Sequence, residues 1–510
     1  MRKESEVENM KLKKYIDMLE REDLLRETSS CGKCVEQEVE YLSFDSKDMR
    51  ENGLFVCKGA HFKPEYLQEA LNRGAFCYLA EQAVPIERNV PFVLVTDIRK
   101  AMALLANAYY KEAWRELKTI GITGTKGKST TTYYVRSILD SYLESQGKPK
   151  SAVISGIDVY DGVICEESHL TTPEAIALHR HFRNAVDSGI SYVEMEVSSQ
   201  ALRYYRTLGI QYDVGCFLNI GTDHISPIEH KDFDDYFDAK LTLMKQCRTA
   251  CVNLNADHCQ EVCDTAREHA VLSTFGTDER ADYYAHHIVK TERGIAFSVR
   301  MAAKNGKPER NENFTLSMPG LFNVDNALAA ISICDALDVP VQYMKEGLEK
   351  AAVPGRMEVF RGGAGSPTVI VDYAHNRMSF EKLFTSAIRE YPDKKIISIY
   401  GCPGKKAQAR RKELAEIAGR YAAAVYVTEE DAGEEPVESI CREIAANLRG
   451  LPCRCEIITD RGEAIRKAIE ESGEDTLILV TGKGRETRQK RGVEYIDCPS
   501  DVEYVERYLK

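Results

Sequence analysis

A glycine-rich stretch at residues 124–130 has the residue types and spacing best suited to chemistry. It reads GTKGKST and follows an apolar run that ends near Ile122. Glycines let backbone N–H groups turn towards an anion, the N-terminus of a following helix adds its positive dipole end, and lysine adds a mobile cation. Lys128 is placed to contact phosphate oxygens, and Ser129 to put a hydroxyl on the Mg²⁺ that accompanies a nucleotide. The stretch predicts a nucleoside triphosphate site.

One position in this stretch departs from the general phosphate-binding loop. That loop requires G-x-x-x-x-G-K-[ST], and the residue five positions before Gly127 is Ile122 instead of glycine. A glycine-rich turn between a strand and a helix, without a ligand, is the alternative interpretation. The stretch by itself indicates nucleotide binding and leaves the reaction open.

Polar residues follow two later apolar runs. Glu196 lies near the end of the run YVEMEVS, and His224 follows the run YDVGCFLNI. In open α/β sheets, ligands bind beyond the C-terminal ends of the strands. Mg²⁺ takes oxygen ligands and usually only one or two protein carboxylates, so Glu196 is a candidate ligand, and His224 could orient a metal or a phosphate. The alternatives are a carboxylate that caps the next helix and a histidine without a special role.

The elements that must position these residues alternate along the chain. From residue 118 onwards, apolar runs are separated by helical stretches, which predicts parallel sheets covered on both faces. The fold class is therefore α/β, with three domains. They are a small α/β N-terminal domain over residues 1–116, a central P-loop ATPase-like doubly wound domain over 117–352, and a C-terminal Rossmann-like domain over 353–510. Residues 283–317 are predicted to form an antiparallel ribbon.

Composition and charge narrow the class of protein. The chain has 510 residues and a net charge of −12, which disfavours nonspecific binding to nucleic acid or to an anionic membrane. No window approaches about eighteen consecutive apolar residues, and the N-terminus lacks a signal-peptide core. We therefore expect a cytoplasmic protein without membrane insertion. The 16 cysteines are scattered and are expected to be reduced, mostly buried thiols.

Taken together, the motifs resemble those of the Mur ligase family. The run GTKGKST resembles that family's loop G-T-x-G-K-[ST]-T, which accounts for Ile122. Further landmarks follow in the family's order: Thr171-Thr172-Pro173, Glu196-Val197-Ser198-Ser199, Asn219 with Asp223-His224, Tyr236 with Lys240, Gly320 with Phe322-Asn323 and Asn326, Gly355-Arg356, Asp372-Tyr373-Ala374-His375 and Gly482-Lys483-Gly484-Arg485-Glu486. The strings MEVSSQAL, VDYAHN and GKGRE are most similar to the tripeptide synthetases of the family.

The resemblance implies an ATP-dependent amide ligase of peptidoglycan synthesis. Such an enzyme would phosphorylate the terminal carboxylate of UDP-N-acetylmuramoyl-L-alanyl-D-glutamate, and the amine of an incoming amino acid would attack the acyl phosphate. The products would be an amide, ADP and phosphate. Phosphoryl transfer of this kind depends on charge neutralisation and alignment more than on covalent help from the protein. We expect a monomer that binds the UDP-muramoyl dipeptide and a free amino acid.

The same resemblance assigns roles at the centre of the reaction. Lys128 would hold the β- and γ-phosphates, Ser129 and Glu196 the first Mg²⁺, and His224 the second. Lys240 matches a lysine that family members carry as a carbamate, and carbamylation converts a cation into an anionic oxygen ligand. Without the resemblance, Lys240 in the run FDAKLTLMK would be interpreted as a surface lysine on a helix.

Further residues are carried over to two of the substrates. The nucleotide would be contacted by Gly124, Thr125, Lys126, Gly127, Lys128, Ser129, Thr130, Asn323, Asn326, Arg356 and Asp372. The UDP-muramoyl peptide would be contacted by Ser46, Ala60, His61, Phe62, Thr171, Thr172, Ser198 and Arg206.

The predicted amino-acid site departs from members that add meso-diaminopimelate. Those members carry D-N-P-R where this chain reads VTEEDAGEEP, and their loop G-C-G-G-D-R is matched by a run that ends at Lys406. Lysine lacks the planar fork that binds a carboxylate through two hydrogen bonds, so meso-diaminopimelate is disfavoured. Glu430 and Asp431 favour a cationic side chain, as in L-lysine or another diamino acid. Gly482 and Glu486 complete the predicted site.

Two other interpretations remain open at this point. The chain could be a divergent Mur-type ligase with a different acceptor, for cell-wall recycling or a polyamino acid, although Ser46 in a UDP-pocket position argues against it. It could instead be a non-catalytic nucleotide-binding partner. That interpretation predicts the loss of Lys128, Glu196 or Lys240, and all three are present.

Overall fold

The computed structural model describes residues 10–29, 34–59, 62–86, 89–221, 225, 229–291, 294–304 and 306–510. The chain divides into two compact units. The first contains Met1–Gly124, Tyr142–Val252 and His258–Ser273, and the second contains Thr125–Ser141, Asn253–Asp257 and Thr274–Lys510.

The first unit begins with a small α/β fold. Its elements are α1 (Leu12–Arg21), β1 (Leu25–Thr28), β2 (Tyr41–Ser43), β3 (Gly53–Val56), α2 (Pro64–Asn72), β4 (Ala75–Ala80), β5 (Phe92–Val95) and α3 (Ile98–Tyr109). The strand order is β1-β5-β4-β3-β2, parallel except for β1. Apolar residues of α1 and α3, among them Leu12, Tyr15 and Leu105, form one core with the strands.

A larger, mostly parallel sheet follows in the chain. Its elements are β6 (Lys118–Thr123), α4 (Lys128–Ser145), β7 (Ala152–Ile154), β8 (Asp158–Tyr160), β9 (Cys165–Glu167), α5 (Ala175–Asp187), β10 (Tyr192–Glu196), α6 (Ser199–Arg203), β11 (Tyr212–Phe217), α7 (Phe233–Lys245), β12 (Cys247–Asn253), α8 (Cys259–His269) and β13 (Val271–Gly276). Strand β6 lies between β10 and β11 and is parallel to both, so Thr123, Glu196 and Phe217 end at one edge. This is the edge at which such sheets bind ligands.

An antiparallel meander lies in the second unit. Strands β14 (Tyr283–Thr291), β15 (Gly294–Met301) and β16 (Arg310–Leu316) pair in sequence, and α9 (Asn323–Ala336) and α10 (Val341–Lys350) follow. The predicted ribbon over residues 283–317 is confirmed.

The second unit ends with a doubly wound fold. Its elements are β17 (Glu358–Arg361), β18 (Thr368–Asp372), α11 (Arg377–Glu390), β19 (Lys395–Tyr400), α12 (Ala409–Tyr421), β20 (Ala424–Val427), α13 (Val437–Leu448), β21 (Arg454–Ile457), α14 (Arg461–Glu470), β22 (Thr476–Thr481), β23 (Arg488–Arg491), β24 (Glu494–Asp497) and α15 (Asp501–Tyr508). The sheet order is β17-β18-β22-β19-β20-β21, parallel except for β17. Strands β18, β20 and β22 are buried along their whole length, as expected for a sheet covered on both faces.

These sheets confirm the α/β class, the doubly wound central sheet and the Rossmann-like C-terminal fold. The domain boundaries at residues 116 and 352 remain predictions. Within the described residues, no helix is long and apolar enough to span a membrane. The described cysteines are free thiols, and most of them are buried.

Candidate functional site

The predicted phosphate loop connects β6 to α4. Gly124 and Gly127 have φ angles of 156° and 87°, a backbone region that glycine enters far more readily than other residues. Helix α4 begins at Lys128, whose Nζ lies 3.4 Å from the carbonyl oxygen of Thr125. The chain therefore folds here as a strand, a glycine turn and a helix N-terminus, the arrangement that binds phosphate.

The two predicted nucleotide asparagines lie at the start of α9, close to α4. The Thr131 hydroxyl donates to Asn326 Oδ1 over 3.4 Å, and Asn326 Nδ2 donates to Asn323 Oδ1 over 2.9 Å. Asn323 Nδ2 in turn donates to the carbonyl oxygen of Pro319 over 2.7 Å. Both asparagines are buried, so this chain of hydrogen bonds fixes their amide groups.

Glu196 is the last residue of β10, and its side chain is 2% exposed. Its Oε1 accepts a hydrogen bond of 2.8 Å from the backbone N–H of Gly156. The interpretation of Glu196 as the cap of the next helix is wrong, because Ser198 is the N-cap of α6 and accepts from Ala201 N. The carboxylate is therefore held at the strand end by the backbone of another segment.

Residues predicted to bind the muramoyl peptide lie next to Glu196. The Thr172 hydroxyl donates to the Glu196 carbonyl oxygen over 2.9 Å and accepts from Ser198 N over 3.0 Å. Thr171 Oγ1 and Glu196 Oε1 both border Gly156, where an added Cβ would meet them at 3.4 and 3.6 Å. The structure thus brings Thr171, Thr172 and Ser198 together with Glu196.

Lys240 is buried, with 1% of its side chain exposed, so its interpretation as a surface lysine is wrong. It projects from α7, and its Nζ donates to the carbonyl oxygen of Gly124, the first glycine of the phosphate loop, over 2.9 Å. The same atom lies 4.8 Å from the ring centroid of Tyr236. Burial of an ammonium group is costly, which indicates a specific role at this position. His224, the other predicted residue here, lies outside the described residues.

A cationic pair and a shared carboxylate lie close to Thr172. Arg206, 6% exposed, donates to the Thr172 carbonyl oxygen over 2.9 Å and pairs with Glu174 at 2.7 Å. Lys58 pairs with the other oxygen of Glu174 at 2.6 Å. Burial opposes ionisation of Glu174, but Arg206 and Lys58 hold its pKa below the usual value. Within the described structure, the buried Nε of Arg206 has no hydrogen-bond partner, so it can donate to an anion.

The predicted UDP-contacting residues are only partly described. The Ser46 hydroxyl donates to Glu69 Oε2 over 2.7 Å, and Phe62 packs edge-on against Tyr66 with centroids 6.4 Å apart. Ala60 and His61 lie outside the described residues.

Arg356 and Asp372 come together in the C-terminal fold. The guanidinium carbon of Arg356 lies 4.4 Å above the ring centroid of Tyr373. The carboxylate of Asp372 accepts from Met357 N over 2.9 Å and from Ala374 N over 2.7 Å, and burial raises its pKa. Asp372 therefore fixes the segment that carries Arg356 against the end of β18.

A buried lysine connects two residues of the predicted amino-acid site. Lys483 Nζ lies 3.1 Å from Asp431 Oδ1 and 2.6 Å from Glu486 Oε2. Glu486 Oε1 also accepts a 2.6 Å hydrogen bond from the Tyr373 hydroxyl. Sequence reasoning did not single out Lys483 or Tyr373, although both lie inside the quoted strings GKGRE and VDYAHN.

Glu430 is a third predicted carboxylate beside Asp431 and Glu486, and it is not paired with Lys483. It is 7% exposed, and in the described structure it has no hydrogen bond or ion pair. A Cβ added at Gly482, which has a φ of 110°, would overlap Glu430 Oε2, so only glycine leaves room for this carboxylate. Burial raises the pKa of Glu430 to about 8. Lys406 is exposed and makes no bond to Glu430, Asp431 or Glu486.

Comparison with known proteins identifies the family. The model of the Mur ligase middle domain matches residues 122–334, and that of the "Mur ligase, glutamate ligase domain" matches residues 355–484. A UDP-N-acetylmuramyl-tripeptide synthetase of Lactobacillus acidophilus is 36% identical over 500 residues, which cover 94% of each chain. The chain belongs to the Mur ligase family.

Other relatives of this Mur ligase have names that specify an amino acid. UDP-N-acetylmuramoyl-L-alanyl-D-glutamate–L-lysine ligases of Enterococcus faecalis and Streptococcus thermophilus are 37% and 35% identical to it. The matches cover 93% and 92% of this chain and 94% and 93% of the relatives.

Solved structures share the Mur ligase fold. A 2,6-diaminopimelate ligase superposes with a TM-score of 0.67 at 21% identity, over 98% of this chain and 99% of that one. MurF from Acinetobacter baumannii superposes with a TM-score of 0.62 at 20% identity, over 87% and 90%. The predicted family and fold are confirmed, and the chain is an ATP-dependent amide ligase of the Mur type.

Proposed function

We propose that this Mur ligase adds L-lysine to UDP-N-acetylmuramoyl-L-alanyl-D-glutamate through an acyl phosphate. The observation that carries the proposal is Glu430, a buried carboxylate that lies against Gly482 without an ionic partner in the described structure. A cationic side chain is the ligand that such a carboxylate requires. The names of the lysine-adding relatives support the same choice.

The three predicted domains would divide the substrates among them. Residues 1–116 would bind the UDP-muramoyl group, 117–352 would bind ATP and carry out the transfer, and 353–510 would bind the amino acid. In the central domain, the loop at residues 124–130 would surround the phosphates, with Lys128 as the mobile cation. Asn323, Asn326, Arg356 and Asp372 would contact the rest of the nucleotide.

The donor chemistry of the residues fits Mg²⁺. Glu196 offers a carboxylate that Gly156 N already orients, and Ser129 offers a hydroxyl. Mg²⁺ beside a nucleotide shares its ligands with phosphates and water, so one or two protein carboxylates are enough to hold it. Ser129 and Glu196 would hold one ion and His224 a second, and Mg²⁺ would neutralise charge on the transferred phosphoryl group.

Lys240 would serve this site as a carbamate. An ammonium group cannot ligate a metal, whereas a carbamate supplies anionic oxygens. The Nζ of Lys240 already lies at Gly124, in the phosphate loop, with α7 as a rigid support.

The acceptor carboxylate would be held by the cations near Thr172. Arg206 Nε is a buried donor, and Thr172 and Ser198 present hydroxyls beside Glu196. A bound carboxylate would complete the hydrogen bonding of Arg206, which Glu174 and the Thr172 carbonyl oxygen already hold in place.

The proposal is tested by phosphate release from ATP with the UDP-muramoyl dipeptide and a panel of amino acids. L-Lysine should give the highest rate, and meso-diaminopimelate should give little. Glu430→Gln should remove most of the preference for lysine over norleucine, which has no distal ammonium. Glu429→Gln is the matched control, because Glu429 pairs with Arg491 at 2.8 Å. Absence of release with every amino acid, or an unchanged preference in Glu430→Gln, would contradict the proposal.

A further inference from the structure

Tyr373 touches residues of two different predicted sites. The guanidinium of Arg356, predicted to contact the nucleotide, lies over its ring at 4.4 Å. Its hydroxyl donates to Glu486, predicted to contact the amino acid, over 2.6 Å. Burial, and then the Glu486 carboxylate, raise the pKa of Tyr373, so the hydroxyl remains a donor. One side chain therefore connects the two sites.

The segments on either side of Tyr373 are also joined directly. Glu358 accepts from Arg485 Nε and Nη2, both at 2.7 Å, and from Gly355 N. Gly482 N donates to the Asp372 carbonyl oxygen over 3.2 Å. The segment around Arg356, the end of β18 and the loop at residues 482–486 thus form a closed ring of contacts. A displacement of one segment must be shared by the other two.

We propose that Tyr373 is a positioning residue that couples ATP binding to amino-acid binding; the inference rests on the proposed function of the two sites. Triphosphate oxygens attract the Arg356 guanidinium and change its contact with the Tyr373 ring. The hydroxyl transmits this change to Glu486, and Lys483 extends it to Asp431. Because coupling between two binding events is reciprocal, the amino acid must also tighten the nucleotide.

Tyr373→Phe separates the two contacts of the side chain. The variant keeps a ring for Arg356 and loses the donor to Glu486. The measured quantity is the ratio of dissociation constants for a non-hydrolysable ATP analogue without and with saturating amino acid. The wild type should show a ratio of about 5 or more, the lower end of typical coupling between sites. In Tyr373→Phe the ratio should fall close to 1, with affinity for the analogue alone unchanged.

Tyr400→Phe is the matched control. Tyr400 is a buried tyrosine on β19 of the same sheet, and within the described structure its hydroxyl has no hydrogen-bond partner. Its removal should leave the coupling ratio at the wild-type value. A structural role for the Tyr373 hydroxyl would lower the melting temperature without changing the ratio. A wild-type ratio of 1, an unchanged ratio in Tyr373→Phe, or an equal loss in Tyr400→Phe would overturn the proposal.

Phosphate release is measured first, so that the two proposals fail separately. Absence of amino-acid-dependent release by the wild type contradicts lysine addition, and the coupling ratio is then measured with L-lysine by binding alone. Release with a normal rate together with a ratio of 1 leaves lysine addition intact and removes the coupling role of Tyr373.

Discussion

At the scale of single residues, ion pairs within the protein determine which carboxylate of the predicted amino-acid site is left to bind a ligand. Lys483 is already paired with both Asp431 and Glu486, while Glu430 lies beside them without a cation at bonding distance in the described structure. The sequence pattern pointed to Glu430, Asp431 and Glu486 alike, because composition cannot show which carboxylate an internal lysine occupies. Among these three carboxylates, we therefore propose Glu430 as the one that selects the side chain of the amino acid.

The raised pKa of Glu430 predicts a pH dependence of lysine selection. With a pKa of about 8, the free enzyme carries this carboxyl mostly protonated at pH 7 and mostly ionised at pH 9. The ratio of kcat/KM for L-lysine to that for norleucine should rise about tenfold over this range, since kcat/KM follows ionisation of the free enzyme. Both amino acids attack through an α-amine, so the effect of pH on the ionisation of that amine cancels in the ratio. Glu430→Gln should give a flat profile, and a rising one would contradict the assignment.

Replacement of Lys240 should be partly rescued by added carboxylates. Lys240→Ala should reduce turnover by at least about a hundredfold, because it removes the proposed carbamate and its anionic oxygens, and short carboxylates should restore part of the turnover. Lys245→Ala removes an exposed lysine from the same helix and should leave the rate unchanged. Full activity of Lys240→Ala without added carboxylate would remove the carbamate from the mechanism.

Burial of His179 should lower the free energy of unfolding in mild acid. The side chain on α5 is 0% exposed, neither ring nitrogen has a hydrogen-bond partner in the described structure, and burial lowers its pKa from 6.5 to about 3. Below pH 6.5 His179 is protonated in the unfolded chain but stays neutral in the folded chain, so the free energy of unfolding falls as the pH is lowered. The loss at pH 5 is about 2 kcal/mol, and urea titrations should show it. His179→Leu should lose this part of the pH dependence. The same difference in the free energy of unfolding between pH 7 and pH 5 in the variant as in the wild type would contradict this role of His179.

At the scale of elements, apolar patterns predicted the buried strands and missed the exposed ones. Strand β18 reads TVIVD and β22 reads TLILVT, and such continuous apolar runs predict buried strands. Strand β9 reads CEE and is exposed throughout, so no apolar signal marks it. The helical spacing of apolar residues in the run KLKKYIDMLEREDLLRE predicts a helix over residues 11–27. Helix α1 instead ends at Arg21 because Asp23 has a φ of 55°, and Leu25–Thr28 then pairs with β5.

Helices α14 and α15 hold the loop at residues 482–486 through one buried ion pair. Arg461 bonds both oxygens of Asp501, at 2.6 and 2.7 Å, and also donates to the carbonyl oxygen of Thr481. Asp501 further accepts from Gly484 N over 3.0 Å. Asp501→Asn leaves a buried guanidinium without its charge partner, so the C-terminal fold should lose about 3–5 kcal/mol of stability.

Urea unfolding monitored by circular dichroism measures this loss. Asp497→Asn, an exposed aspartate on β24, is the control and should change stability by less than about 0.5 kcal/mol. Equal stability of the two variants would show that the pair does not hold the loop.

At the scale of the whole chain, ordered motifs identified the family, and contacts between distant residues remained beyond sequence reasoning. The phosphate loop, Glu196 and Lys240 could be named because each motif is local. The hydrogen bond between Tyr373 and Glu486 joins residues that are 113 positions apart in the sequence. The ion pair Lys58–Glu174 joins residues with a similar separation, so no local sequence pattern predicts either contact. Such contacts depend on the tertiary fold.

The most direct test of lysine addition is a competition. The enzyme is given ATP, Mg²⁺, the UDP-muramoyl dipeptide and equal concentrations of L-lysine and meso-diaminopimelate, and the tripeptide product is identified by mass. The predicted result is a product that carries lysine with little or no diaminopimelate. A product that carries mainly diaminopimelate, or no product at all, would contradict the account.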